Sequence, residues 1–137
     1  MSQQRFRFLL RCLRFDINTY QERREVDRLA PIRKLFKNLD SNCRRWYIVG
    51  KCLTIDEMLE VFRGRCGFRQ FIKSKSVRYG IKIFAVVDSE ARYTVNLKVY
   101  LGKQPNGQFE MSNSPWGVVK RLNTTFSGSG RNITMDN

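Results

Sequence analysis

Acidic residues are few in this chain, and two aspartates occupy positions where carboxylates could do chemistry. The sequence has 26 Lys and Arg against 12 Asp and Glu, yet Asp56, Glu57 and Glu60 stand close together. Asp56 ends one β-prone run, and Asp136 ends another. Two facing carboxylates repel each other unless a proton or a cation lies between them, and Mg²⁺ takes oxygen ligands of this kind. Such ions activate the attacking oxygen and stabilise the leaving oxygen in phosphoryl transfer. The pair therefore predicts a metal site, with a turn or capping role for each aspartate as the alternative.

The elements that must bring these aspartates together follow from hydrophobic periodicity. Alternating residues predict strands over 47–56, 80–88 and 91–102, with an antiparallel hairpin across the turn at 88–91. A Ser-Pro start and helical spacing predict a short helix over 114–122, followed by a strand over 131–136. A helical crossover can return the last strand parallel to the first and beside it. The two aspartates would then share one edge of the sheet.

Two basic amphipathic helices are predicted ahead of the sheet. In the first, over 5–15, an apolar stripe and an arginine stripe repeat at helical spacing. The apolar stripe is Phe6, Leu9, Leu10 and Leu13, and the cationic stripe is Arg7, Arg11 and Arg14. Pro31 suits the first turn of the second helix, whose predicted core stripe is Ile32, Leu35, Phe36, Leu39 and Cys43. The segment 19–30 between them is predicted to be a turn or a short helix.

The charge balance favours a polyanionic partner. A net charge of +14 and a pI near 10.2 favour nucleic acid first and an anionic membrane surface second. Simple solvation of a basic surface is the alternative for any single residue. The predicted DNA-binding residues are Arg7, Arg11, Arg14, Arg63, Arg65, Arg69, Lys73 and Lys75.

Several kinds of site are excluded by composition. The chain has no histidine, which removes Ser-His and Cys-His nucleophiles and histidine-ligated zinc. Its four cysteines contain no CxxC pair, and Cys52 and Cys66 are predicted to be buried thiols. Trp46, Trp116, Phe84 and Tyr93 are predicted to be core residues rather than base-stacking platforms. No 18-residue apolar run or secretory signal is present, so we expect neither a membrane span nor export.

Three stretches of the sequence resemble the piggyBac family of DNA transposases and the host proteins derived from them. They are QERREVDRLAPIRKLF (21–36), LTIDEMLEVFRGRCGFRQFIKSKSVRYGIKIFAVVDSEARY (53–93) and SGSGRNITMDN (127–137). The matches occur in the family's order and cover nearly the whole chain. Gly67 stands where the family is expected to have proline.

The resemblance implies a partial RNase H-like fold of the α/β class: three antiparallel strands, a helix and a fourth strand, preceded by basic helices. It implies that Asp56 and Asp136 are two of three catalytic aspartates that hold Mg²⁺ or Mn²⁺. The family's reaction is cut-and-paste transposition by DNA hydrolysis, hairpin formation and strand transfer into TTAA. The third aspartate and the cysteine-rich zinc module have no counterpart in these 137 residues, so the chain alone is expected to be inactive.

Two segments and several functions are predicted on this basis. Residues 1–46 are expected to form a basic helical region, and 47–137 a truncated RNase H-like catalytic core. The first functional hypothesis is a transposase-derived chain with part of the metal-dependent core. The alternatives are a non-enzymatic DNA-binding remnant, or a protein that associates with a second copy or a related full-length transposase. A nuclear location and no membrane partner are expected in each case.

Overall fold

Four helices and five strands make up the computed structural model, which describes residues 1–15 and 20–135. The N-terminal helices are α1 (Gln3–Cys12), α2 (Tyr20–Val26) and α3 (Arg33–Arg45). The sheet follows with β1 (Cys52–Val61), β2 (Gln70–Phe71), β3 (Tyr79–Asp88) and β4 (Tyr93–Val99), then α4 (Pro115–Asn123) and β5 (Asn132–Met135). Within these described residues, no helix has the length and apolar character to cross a bilayer.

The central strand of the mixed sheet is β3. It pairs antiparallel with β1 over Leu53–Val61 and with β4 through the predicted hairpin. β2, which the sequence did not predict, pairs with Tyr79 and Gly80 ahead of the segment that β4 covers. β5 pairs parallel with β1. The predicted hairpin, the three antiparallel strands and the parallel return of the last strand are therefore confirmed.

The main core lies between one face of the sheet and α4. Its buried residues are Leu53, Ile55, Val86, Val95, Val118, Leu122 and Phe126. Val86 pairs with Asn96 and Val87 with Thr94, so Val95 is an extra residue in β4. Such a bulge re-aims side chains. Here Val95 joins the core, and the buried Asn96 donates its Nδ2–H to the carbonyl oxygen of Leu122 in α4 at 3.0 Å. The crossover helix is thus held to the sheet by apolar packing and by a hydrogen bond.

A smaller core joins the N-terminal helices to the sheet. Leu29, Phe68 and Leu101 are buried together, with Ile81 of β3 and Val99 of β4 packed against them. Arg28 reinforces this contact, because its Nη1–H donates to the carbonyl oxygen of Leu101 at 3.1 Å. The helices therefore pack on the sheet through the turn that precedes α3.

The helices bury different faces from those predicted. Ile32, Phe36 and Cys43 are partly buried as expected, but Leu35 and Leu39 are 48% and 50% exposed. Asp40 is the buried residue of α3, because it bonds to the edge of β4. No residue of α1 is buried, so the predicted apolar stripe of that helix exists without packing against the described part of the chain.

β1 begins and ends later than predicted. It covers Cys52–Val61 rather than 47–56, so Asp56 lies inside the strand and not at its end. The reason is tertiary: backbone pairing with β3 continues from Asp56 opposite Ala85 to Val61 opposite Gly80. This pairing outweighs the poor strand propensity of acidic residues.

Two of the four predicted core aromatics are instead on the surface. Trp46 and Trp116 are each 74% exposed, whereas Phe84 and Tyr93 pack partly buried against the main core. Cys52 is exposed and Cys66 partly buried, so the burial predicted for Cys52 is wrong. The tryptophans lie at a helix end and in the first turn of α4, where one face meets solvent.

Candidate functional site

Asp56 projects from the face of β1 that is turned away from the main core. Its neighbours Leu53 and Ile55 point into that core, and side chains alternate along a strand. Asp56 is exposed, and its Oδ1 accepts a hydrogen bond from the Glu57 backbone N–H at 2.6 Å. Its carboxylate makes no salt bridge within the described residues, so its oxygens remain accessible to a ligand.

The adjacent acid, Glu57, is committed elsewhere. It points to the opposite face of β1 and forms a salt bridge with Lys82 of β3. The Lys82 ammonium also lies 4.9 Å from the centre of the Phe84 ring, a cation–π distance. This pair joins β1 to β3 beside Asp56, and it explains how an acid is accommodated inside the strand.

The start of β5 is fixed against the segment before β1. Arg131 donates from Nε to the carbonyl oxygen of Gly50 at 3.0 Å and from Nη2 to that of Val49 at 3.2 Å. The Asn132 N–H donates to the carbonyl oxygen of Lys51 at 2.8 Å. These bonds set the parallel register, which runs from Cys52 opposite Asn132 to Ile55 opposite Met135.

The second predicted metal ligand, Asp136, lies outside the described residues. Among the residues that are described, no group of three Asp, Glu, His or Cys side chains is arranged to hold a metal ion. The described donor set at this edge of the sheet is the Asp56 carboxylate. Oxygen donors of this kind suit Mg²⁺ or Mn²⁺.

Among the described acids, Asp88 accepts the most hydrogen bonds through its carboxylate. The sequence predicted only part of its role. The turn after β3 was expected, and Asp88 Oδ1 accepts from the Glu90 and Ala91 N–H groups at 3.0 and 3.2 Å. Its Oδ2 also accepts from Gly50 N–H at 2.7 Å and Tyr47 O–H at 3.0 Å. These bonds, led by Gly50 and Ala91, lower the pKa of Asp88 despite its burial. Asp88 therefore holds the turn and the entry to β1 together.

Asp40 and Asp27 are structural acids that the sequence analysis did not single out. The buried Asp40 accepts from Leu97 N–H at 2.8 Å, Lys98 Nζ at 3.1 Å and Arg44 Nη2 at 2.9 Å. A signal was available, since Asp40 follows the partly buried Phe36 by four residues on one face of α3.

Burial alone would raise the pKa of Asp27, but its hydrogen bonds outweigh that effect. Arg33 donates from Nε and Nη2 to the two carboxylate oxygens at 2.7 and 2.5 Å, and Leu29 N–H donates at 2.9 Å. The side chain of Gln104 also lies close enough to contribute, and the net pKa is lowered. Asp27 is thus an ionised acid that fixes the turn before α3.

The predicted DNA-binding residues are all exposed and fall into two groups. Arg7 and Arg11 lie on α1, with Arg14 just beyond it. The others lie in the connection from β1 to β3: Arg63, Arg65, Arg69, Lys73 and Lys75. Arg69 is partly fixed, because it donates to the Gly64 carbonyl oxygen at 3.3 Å and its Cζ lies 5.2 Å from the Tyr79 ring centre. The connection is anchored by the buried Phe68 and displays its basic side chains to solvent.

Comparison with known families and structures is consistent with this architecture. The family model described as Transposase IS4 matches residues 1–137. A cryo-EM structure of a piggyBac transposase synaptic complex with hairpin DNA aligns to 100% of this chain and 28% of its own chain, with 43% identity and a TM-score of 0.87. The fold is accordingly a mixed α/β, partial RNase H-like fold, as predicted.

Two human proteins are also similar to part of the chain. PiggyBac transposable element-derived protein 3 and the chimeric ERCC6-PGBD3 protein are each 29% identical over 102 residues, which is 74% of this chain. The alignments cover 16% and 9% of those two proteins. The chain belongs to the Transposase IS4 family and is of the piggyBac type within it.

Proposed function

We propose that this chain is part of the DNA-binding and catalytic apparatus of a piggyBac-type transposase, in which Asp56 and Asp136 hold a divalent metal ion. The observation that supports this most directly is the parallel register of β5 on β1, which ends with Ile55 opposite Met135. In the sequence each of these two residues is followed by an aspartate. Continuation of that register would place the two carboxylates on adjacent strands.

The chemistry of Asp56 fits this role. The exposed carboxylate is free of any described salt bridge, whereas Glu57 is tied to Lys82 on the other face. When bound, Mg²⁺ or Mn²⁺ would polarise a phosphoryl oxygen and lower the pKa of a coordinated water. In this proposal the chain supplies two carboxylate ligands from a rigid pair of adjacent strands. Rigid strands suit this role because such sites depend on precise positioning of their ligands.

Contact with DNA is proposed for the two basic groups, Arg7, Arg11 and Arg14, and Arg63 to Lys75. The piggyBac transposase with 43% identity was solved in complex with hairpin DNA, and this chain carries a net charge of +14. Val61 lies five residue steps after Asp56 on β1, about 17 Å at 3.4 Å per step. Phosphates about five base-pair steps from an attacked bond would then lie near the β1–β3 connection, since duplex DNA rises 3.4 Å per step.

Metal binding is the test of this proposal. Calorimetric titration with Mg²⁺ or Mn²⁺ is expected to give a binding isotherm for the wild type and to lose it in Asp56→Asn and in Asp136→Asn. Glu60→Gln is the matched control, because Glu60 is exposed on the same face of the same strand and is expected to bind metal as the wild type does. Equal isotherms for the wild type and Asp56→Asn would refute the proposed ion site.

The chain spans only 28% of the solved transposase and 16% of PiggyBac transposable element-derived protein 3. We propose a role in DNA transposition in the nucleus, with a second copy or a related transposase as partner. The exposed basic residues also support a non-enzymatic DNA-binding role. Duplex binding that is unchanged in Asp56→Asn, together with no metal-dependent cleavage by the wild type, would favour that second function.

A further inference from the structure

A cavity of about 560 Å³ lies at the opposite edge of the sheet from β5, between α3, α4 and the end of β4. Its size is within the usual range for sites that bind small ligands. Ala85 of β3 pairs with Asp56 on one side and with Leu97 of β4 on the other. β4 is therefore two strand spacings, about 10 Å, from Asp56. Phe84, the lining residue on β3, pairs with Glu57 and so lies on the face of the sheet opposite to Asp56. The cavity is separate from the proposed ion site.

The lining of the cavity is cationic. Five basic side chains contribute to it: Arg33, Lys37, Arg44, Lys98 and Arg121. The single acid in the lining is Asp40, which is already bonded to Lys98 and Arg44. Lys37 and Arg121 have no acidic partner among the described residues, so the cavity retains positive charge that an anion would neutralise.

One buried donor in the same cavity lacks an acceptor. Arg121 Nε has no hydrogen-bond partner in the described part of the protein, although Arg121 Nη1 donates to the carbonyl oxygen of Ser112. Gln104 is 5% exposed, and its Oε1 accepts from Arg28 N–H at 3.2 Å, which fixes the orientation of the amide. Its Nε2 faces the Asp27 carboxylate and helps to lower the pKa of that acid. Because buried donors are normally paired, Arg121 Nε is available to an acceptor on a ligand in the cavity.

The rest of the lining is largely apolar and includes four aromatic residues, Phe36, Phe84, Tyr100 and Phe109. The Phe84 and Tyr100 rings meet edge to face, with their centres 6.2 Å apart. The Arg33 guanidinium lies 5.1 Å from the centre of the Phe109 ring and holds that loop residue beside the cavity. Aromatic side chains of this kind stack on nucleobases whatever their sequence.

We propose that this cavity binds one nucleotide of an unpaired DNA strand, with the phosphate at Lys37 and Arg121 and the base against the aromatic lining. The proposal rests on the DNA-binding function proposed above. A nucleotide combines an anionic phosphate with a flat, largely apolar base. The phosphate matches the cationic side chains of the lining, and the base matches the aromatic ones. DNA is favoured over an acidic peptide because the chain has a net charge of +14 and its solved relative was captured with hairpin DNA.

The test uses an oligothymidylate and an abasic strand of equal length as probes. In ¹⁵N-labelled protein, the side-chain amide of Gln104 and the Nε–H of Arg121 are expected to shift on adding oligothymidylate. Lys37→Gln and Arg121→Gln should each reduce the salt dependence of binding by about 0.7 in the slope of log K against log salt. Phe109→Leu should remove a preference of about tenfold for the base-containing strand.

Matched variants separate the effect of the cavity on DNA binding from the effect of general positive charge. Lys34 lies one turn before Lys37 on α3, and Lys120 is next to Arg121. Lys34→Gln and Lys120→Gln are therefore the matched controls. Both lysines are exposed and outside the cavity, so neither substitution should change the slope as much as its cavity partner does. Lys37 is exposed and has no structural partner among the described residues, so its variant reports on binding even if Arg121→Gln impairs folding.

Four outcomes would overturn the proposal. They are equal losses in cavity and control variants, equal affinity for the abasic strand, unmoved Gln104 and Arg121 resonances, and stronger binding of an acidic, tyrosine-containing peptide at the same resonances. If duplex DNA still binds in any of these cases, the proposed function stands and the cavity assignment alone fails. If neither duplex nor single strand binds, both fail.

Discussion

At the scale of single residues, Asp88 joins two separate backbone segments. It accepts four hydrogen bonds, from Tyr47 and Gly50 before β1 and from Glu90 and Ala91 in the turn after β3. Charge-assisted bonds to backbone N–H groups are stronger than neutral ones. Because Gly50 and Arg131 also position β5, the ionisation of Asp88 supports the register on which the proposed ion site depends.

Stability is expected to fall in acid because of Asp88 and Asp27. Both have a pKa in the folded state below the ordinary value of 3.8, so protonation favours the unfolded chain. Their stabilisation is fully present above the unfolded pKa and is lost as pH falls through the lower folded pKa. Free energies of unfolding in urea from pH 6 to pH 2 should decline for the wild type and decline less for Asp88→Asn. Glu90→Gln, a change at an exposed neighbour, should follow the wild type, and parallel curves for all three would contradict this role.

Asp40 gives a second prediction at this scale. Asp40→Ala should lower the free energy of unfolding by about 2–4 kcal/mol, because it leaves the Leu97 N–H unpaired and removes the counter-charge of Lys98 and Arg44. Asp40→Asn keeps an acceptor for Leu97 and should cost less. Chemical denaturation measures both changes. Glu110→Ala at an exposed loop position should fall within about 0.5 kcal/mol of the wild type, and a similarly small effect of Asp40→Ala would contradict a structural role for Asp40.

At the scale of elements, the close approach of β1 and β3 depends on Gly80. A Cβ added at Gly80 would lie 2.3 Å from the carbonyl oxygen of Glu60 and 2.9 Å from Leu59 Cγ. The first of these is backbone and cannot rotate away. The end of β1 therefore tolerates no side chain at the facing position, and this end carries the connection with Arg63 and Arg65.

Gly80→Ala is accordingly expected to destabilise the protein by about 2–3 kcal/mol through overpacking. Gly67→Ala is the matched control, because an added Cβ there meets no atom within 4 Å, and it should change stability by less than about 0.5 kcal/mol. Thermal unfolding of the two variants beside the wild type measures the difference. Equal melting temperatures for the two variants would show that β1 can move away from β3 at low cost.

The order and pairing of the main strands could be predicted, but their lengths could not. Alternation over β3 and β4 and the short turn between them dictate a hairpin, and a helix before the last strand favours a parallel return. The continuation of β1 through Asp56 and Glu57 depends on pairing with β3 and on Lys82, which local propensity does not report. Two-residue β2 has no periodicity to detect. The buried face of α3 differs from the predicted apolar stripe, because it includes an acid, Asp40, which is hydrogen-bonded to β4.

The candidate site was predictable to the same extent as the strand pairing. The sequence predicted the return of the last strand beside β1, and the register confirms that return as far as Met135. The metal role of Asp56 and Asp136 stays a prediction. The cavity beside β4 was not predicted, because its lining comes from helices, a strand and a loop that are far apart in the sequence.

At the scale of the whole molecule, the net charge of +14 includes two groups of exposed basic side chains, one on α1 and one on the β1–β3 connection. A polyanion that binds there releases its counterions, so its affinity depends on salt. Charge alone does not distinguish a diffuse basic surface from a defined phosphate track. The connection is the better candidate for a defined track, because Phe68 anchors it in the smaller core and Arg69 is fixed on Gly64 and Tyr79.

Duplex binding should make this distinction through its salt dependence. The log of the binding constant should fall linearly with log salt, by about 0.9 per phosphate contact. A Lys73→Gln/Lys75→Gln double variant, at exposed positions of the β2–β3 loop, should reduce that slope by about 1.8. The control is Lys34→Gln/Lys120→Gln, which removes the same two charges from exposed helix positions and should leave the slope nearly unchanged. If the two double variants lower the slope equally, a diffuse field accounts for binding, and a slope near zero in the wild type would exclude phosphate contacts altogether.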